Sequence, residues 1–190
     1  PDDTFVRFDR FLAGLPAGVQ LFAMFHSRPE LLDLVAGIIG TAPRLAEHLS
    51  RNPAVLESVL SADFFDPPPP PALLEKELDL LLGRARDFED ILNDCRRWAN
   101  DRKFQVGVQS LGRRLAPRDG ATALSNITDF VLGLLSSRVE NEFASQHGHV
   151  TGAGMLIVAL GKLGGSEMTP SSDLDVIFVY DAPGDVDASD

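Results

Sequence analysis

Two aspartates two residues apart, opening an apolar run and following a glycine pair, constrain this chain more than any other feature. They lie in the stretch Met155–Tyr180, MLIVALGKLGGSEMTPSSDLDVIFVY. Met155–Leu160 is a short continuous apolar run, the pattern of a strand buried on both faces. Gly161, Gly164 and Gly165 follow, where the backbone is free to turn sharply and to approach a ligand closely. Asp173–Tyr180 is rich in Val, Ile and Phe and reads as a second strand. Side chains alternate along a strand, so Asp173 and Asp175 share a face, roughly 7 Å apart. Leu174, Val176 and Phe178 then turn to apolar packing on the other face. Two like charges on one face disfavour each other's ionisation, whereas a divalent cation draws carboxylate oxygens together. The residues point to a hard metal ion.

The glycine turn is neither a Walker loop nor a dinucleotide fingerprint. No Gly-Lys-Ser/Thr follows the glycines, and GKLGG lacks the G-x-G-x-x-G spacing. The helix after it is too short to cross over to a parallel strand. Gly164 and Gly165 are expected to leave backbone N–H groups free at a helix start, where an anion such as phosphate is favoured. Ser166 and Ser172 are candidate hydroxyl donors to phosphate, and Lys162 a candidate counter-charge. Glu167 is expected just inside a short helix, where a carboxylate suits the N-terminal dipole.

The rest of the chain reads as helical. A helix over Phe5–Leu15 ends at Pro16-Ala17-Gly18, and Val19, Phe22 and Phe25 mark a second. Ser27-Arg28-Pro29-Glu30 has capping-box spacing, which predicts a helix over 29–39 that stops at Gly40. Thr41 before Pro43 and Asn52 before Pro53 predict further helices near 43–50 and 53–60. Pro67–Pro71 is an extended spacer. From Leu74 the apolar positions step by four and three through Leu78, Leu81, Ala85, Phe88, Leu92 and Cys95. Leu73, Leu80 and Ile91 widen that face, which favours packing against Leu124, Ile127, Val131, Leu134 and Phe143 over a dimeric coiled coil. Gly83 is a weak point in the seam, and Gly107 and Gly112 predict irregularity further on. Trp98 reads as core, and Gly148 as a helix end with His147 against the C-terminal dipole. His147-Gly148-His149 is weak as a metal motif without a third ligand.

Composition narrows the partners. A net charge of −11 argues against duplex nucleic acid and anionic membrane surfaces. It does not argue against a small anionic ligand that arrives with its own metal ion. The segment Arg84–Arg118 runs against that trend, with nine basic and five acidic residues. Solvated helix faces explain most of this, but Arg96, Arg97, Arg102 or Lys103 could face a nucleotide or partner. The single Cys95 rules out an internal disulfide and fits a reducing cytoplasm. The chain begins without methionine and stops shortly after a strand, so a longer parent is expected.

GG-x7-D-x-D opening a strand resembles the signature of the nucleotidyltransferase superfamily. The longer string GKLGGSEM…SSDLDVIFVYD resembles the glutamine synthetase adenylyltransferase family, which adds AMP to a tyrosine of glutamine synthetase and removes it. LPAGVQLF, GTAPRLAEHL and ARDFEDIL…RRWAN extend the resemblance to nearly the whole chain. It implies an α+β architecture, with a mainly helical region over 1–150 leading into the first strands of a nucleotidyltransferase α/β domain at 151–190. Within 1–150 the residue patterns place short helices over 5–60, the proline spacer at 67–71 and long helices over 72–147. The resemblance also implies ATP as substrate and two magnesium ions, held by Asp173, Asp175 and a third carboxylate from a later strand. Asp181, Asp185, Asp187 and Asp190 are not assigned that part, because Pro183-Gly184 between them reads as a turn. Without the third ligand, this chain alone is expected to be folded but inactive. LPAGVQLF and GTAPRLAEHL resemble the adding, C-terminal half more than the removing half. Glutamine synthetase and a PII-type signalling protein are the implied partners. A non-catalytic docking module with a vestigial acidic pair is the alternative from another class.

Overall fold

The computed structural model describes residues 6, 9, 23, 25–52, 55, 59 and 63–184. The expected helices over Phe5–Leu15, Val19–Phe25 and 53–60 lie largely outside these; Val6, Asp9, Phe25, Val55 and Val59 are helical. Among the described residues the order is α1 (Pro29–Thr41), α2 (Pro43–Arg51), α3 (Pro71–Leu82), α4 (Phe88–Leu111), α5 (Pro117–His147), β1 (Gly154–Ala159), α6 (Gly161–Gly164) and β2 (Val176–Asp181). This is the expected α+β arrangement of helices followed by a first pair of strands. No helix among the described residues is long and apolar enough to cross a membrane.

Proline sets the helix starts. Pro29, Pro43, Pro71 and Pro117 each open a helix, where the missing N–H costs nothing. Proline also pushes the preceding residue out of helical conformation. Arg28 (φ −140°) and Ala42 (φ −131°) therefore take the cap positions, without side-chain capping bonds, in place of Ser27 and Thr41. Thr41 stays inside α1, and its hydroxyl donates to the Gly37 carbonyl at 2.6 Å. The proline spacer is one residue shorter than expected. Pro70 is extended (φ −62°, ψ 152°), and Pro71 already belongs to α3.

The chain divides into two compact units. The first comprises Pro1–Pro67 and Phe104–Ala116. Its core gathers Val35, Ile38 and Ile39 of α1, Leu49 of α2, and Phe104 and Val108 of α4. Gly107 does not interrupt α4; a β-carbon there would stand 2.7 Å from Cδ2 of Leu45, so its bare backbone seats the α2 side chain. Buried Gln109 donates through Nε2 to the carbonyls of Phe64 (2.7 Å) and Asp66 (3.0 Å), and Gln105 reaches Phe64 as well (2.9 Å). These bonds satisfy the carbonyls of the turn that leads into the prolines. After Leu111 the chain closes in a Schellman pattern: Arg113 adopts φ 54°, and the Arg114 amide donates to the Gln109 carbonyl at 2.9 Å.

The second unit comprises Pro68–Lys103 and Pro117–Asp190. Here α3 packs on α5, with Arg138 paired to Asp79 at 3.5 Å. Leu74, Leu78 and Leu82 are buried, whereas Leu73 and Leu80 are exposed. The apolar face is thus narrower than its sequence predicts. The heptad seam is also not one helix: it breaks after Leu82 at Gly83, the weak point of the pattern, and α4 begins at Phe88. On α5, Leu124 and Ile127 are buried, Val131 and Leu134 half-buried and Phe143 exposed, so the matching stripe fades along the helix. Trp98 and Cys95 are buried on α4, and burial raises the thiol pKa. Of the basic residues singled out, Arg102 pairs with Glu77 and Arg97 with Asp94 (3.7 Å), so both are held within the unit. Helix α5 ends at His147, and Gly148 follows at φ 77°.

Candidate functional site

The glycine-rich stretch forms a hairpin. β1 and β2 pair antiparallel, from Gly154 opposite Asp181 to Ala159 opposite Val176. The one-turn helix α6 and a polar link join them. Strand β2 starts at Val176, so both aspartates precede it. The pairing nevertheless continues one step past the ladder, because the Leu160 amide donates to the Asp175 carbonyl at 2.8 Å. That bond anchors the Asp175 main chain where the first strand gives way to the glycine turn. Asp173 and Asp175 are both exposed.

Three features build the turn. Gly161 takes φ 53°, a left-handed conformation that glycine adopts without steric cost. A β-carbon on Gly161 would stand 2.5 Å from Oδ2 of Asp175, which places the carboxylate directly over this glycine. Gly164 lies against the chain it has just left: a β-carbon there would meet the Ala159 carbonyl oxygen at 2.5 Å. Leu163 and Met168 are the buried anchors of the segment.

The glycine amides are not oriented as expected. Helix α6 precedes the glycine pair, and Gly164 and Gly165 stand at its C-terminal end. Their N–H groups donate to Leu160 and Gly161 carbonyls, each at 3.0 Å, and so close the turn. Ser166 adopts φ 55°, its amide donates to Leu163 (3.0 Å), and the Glu167 amide donates to Lys162 (2.7 Å). This is a second Schellman ending. Glu167 therefore lies beyond a helix end, not inside a helix start. The Lys162 side chain is exposed. Ser172 closes a turn with Thr169: its hydroxyl accepts from the Thr169 amide (2.9 Å) and bonds the Thr169 hydroxyl (2.8 Å). Gly161 was expected only as part of the glycine turn, and Thr169 was not among the sequence candidates. The Thr169-Pro170-Ser171-Ser172 string, with proline second, was the available signal for Thr169.

The strands differ from expectation in their burial. Among the described residues the hairpin is the whole sheet, and Leu156 (63%), Phe178 (59%) and Tyr180 (82%) are largely exposed. Among the described residues no group of three or more acidic, histidine or cysteine side chains could hold a metal. Asp175 at the turn and Asp173 two residues before it offer carboxylates, hard oxygen ligands of the kind that binds magnesium together with substrate phosphates. To that extent the residues fit the ion that the resemblance implies.

Helices thus lead into an antiparallel hairpin whose glycine turn carries Asp175, with Asp173 two residues before it. Residues 32–190 match the family described as glutamate-ammonia ligase adenylyltransferase, and the chain belongs to that family. Its relatives include the bifunctional glutamine synthetase adenylyltransferase/adenylyl-removing enzymes of Brucella melitensis biotype 1 (40% identical over 189 residues) and Mesorhizobium japonicum (38% over 189 residues). That of Rhodopseudomonas palustris is 36% identical over 190 residues. Each match covers 100% of this chain and 19% of the relative, so the chain spans about a fifth of their length.

Proposed function

We propose that this chain contributes the nucleotide- and metal-binding turn of an enzyme that transfers AMP from ATP to a tyrosine of glutamine synthetase. The observation that carries the reading is Asp175 set over Gly161 of a glycine-built turn, with Asp173 exposed two residues before it, in a chain of the adenylyltransferase family. In the reaction the tyrosine hydroxyl releases its proton to solvent as its oxygen bonds to the α-phosphorus, the bond from that phosphorus to the bridging oxygen breaks, and pyrophosphate leaves with the electron pair. Magnesium, when bound, stabilises charge on the attacking and leaving oxygens. Asp173 and Asp175 would hold it. Gly164 and Gly165 serve by letting main chain approach the triphosphate closely, since their amides are committed to the turn. Ser166, Ser172 and Lys162 line the same exposed segment and supply hydroxyl donors and a positive charge.

The relatives' names join adding and removing activities, which supports a second reading in which the same residues serve phosphorolysis of the AMP–tyrosine bond. Glutamine synthetase is the protein substrate in either direction. On the resemblance, a PII-type signalling protein is the effector and the cytoplasm the location.

The test uses a protein of the relatives' length. Asp173→Asn and Asp175→Asn should each abolish AMP incorporation into glutamine synthetase, with helix content and melting temperature unchanged or raised. Retention of magnesium-dependent transfer by the double variant would remove the assignment. Phosphate-dependent AMP release, measured alongside, separates the two directions. The 190 residues alone should be inactive, because no third carboxylate joins the pair among the described residues.

A further inference from the structure

We infer that Gly161 is a positioning residue for the Asp175 carboxylate. The inference rests on the reading of Asp175 as a metal ligand and adds a residue which that reading does not contain. Asp175 meets the turn at two points. Its carbonyl accepts the Leu160 amide at 2.8 Å, so the main chain is held by the last bond of the strand pairing. Its side chain lies over the α-carbon of the next residue, Gly161, where an added β-carbon would stand 2.5 Å from Oδ2, 3.4 Å from Cγ and 3.6 Å from Cβ. With the main chain pinned, the carboxylate is the part able to yield.

Two properties of glycine are in use at once, and they are separable. The first is the left-handed φ of 53°, which asparagine tolerates better than alanine. The second is the missing β-carbon, which neither asparagine nor alanine can supply. The turn would survive an asparagine as backbone, yet the carboxylate would still be displaced. A position chosen only for its backbone would not make that distinction.

The experiment compares Gly161→Ala, Gly161→Asn and Asp175→Asn in a protein of the relatives' length. Manganese alone is titrated by electron paramagnetic resonance, and the metal dependence of AMP transfer is measured in parallel. Both glycine variants should remain folded, bind manganese about ten-fold more weakly or worse, and recover transfer in part at raised metal concentration. Gly161→Asn should melt above Gly161→Ala without binding metal better. If Asp175→Asn leaves manganese binding and transfer at parental levels, the metal-ligand reading itself fails. If Asp175→Asn is impaired while either folded glycine variant keeps parental manganese affinity, the positioning role is overturned and the ligand stands. Failure of both glycine variants to fold would mean that the turn, not the carboxylate, takes the strain. That outcome also overturns the inference.

Discussion

Gly107 of α4 lies so close to Leu45 of α2 that a β-carbon on the glycine would stand 2.7 Å from one methyl of the leucine and 3.0 Å from the other. Leu45 is buried and cannot retreat into solvent. Gly107→Val should therefore cost about 2 kcal/mol through overpacking. Adding Leu45→Ala should recover part of that loss, and chemical denaturation of the four proteins of the cycle measures the coupling. Gly107→Ala is the milder case, because better helix propensity offsets some of the crowding.

The seam of the second unit is tested by two leucines two residues apart. Leu78 is fully buried and Leu80 is exposed. Leu78→Ala should cost about 3 kcal/mol, while Leu80→Ala should stay within about 0.5 kcal/mol of the parent. Equal losses would mean that the wider apolar face is buried in solution.

The turn before the prolines depends on α4 amides. Gln109→Leu removes the donor to Asp66 and one of two donors to Phe64, and should cost about 2 kcal/mol. Gln105→Leu leaves Phe64 its Gln109 donor and should cost about 1 kcal/mol or less. The order of the two melting temperatures is the readout.

Lys103 carries a penalty that depends on pH. Burial lowers its pKa below 10.5. The unfolded chain then binds this proton more tightly than the folded one, so stability rises as pH climbs through the lowered value toward 10.5. Lys103→Met should stabilise the protein at neutral pH by on the order of 1 kcal/mol. The gain should shrink as pH rises through that window, as urea denaturation at pH 7 and at pH 10 would reveal.

Features set by neighbours in the chain were legible without coordinates. Proline restricts itself and the residue before it, so Pro29 and Pro43 open helices wherever the rest of the chain lies. Gly83 stops α3, Leu74 and Leu78 face inward by periodicity, and a four-residue helix permits only an antiparallel return. The family was legible for the same reason, as a short string of residue types at fixed spacing. Tertiary structure alone decided that Gly107 seats Leu45 and that Gln109 serves the carbonyls of a turn more than forty residues earlier. It likewise decided that Asp175 lies over Gly161 and that the Gly164 and Gly165 amides are spent inside their own turn. The physical reason is range. Steric limits on φ and the loss of an N–H act across one or two residues, whereas a close approach depends on which distant segment arrives and at what height. That information resides in packing, because only there do two such segments share one volume.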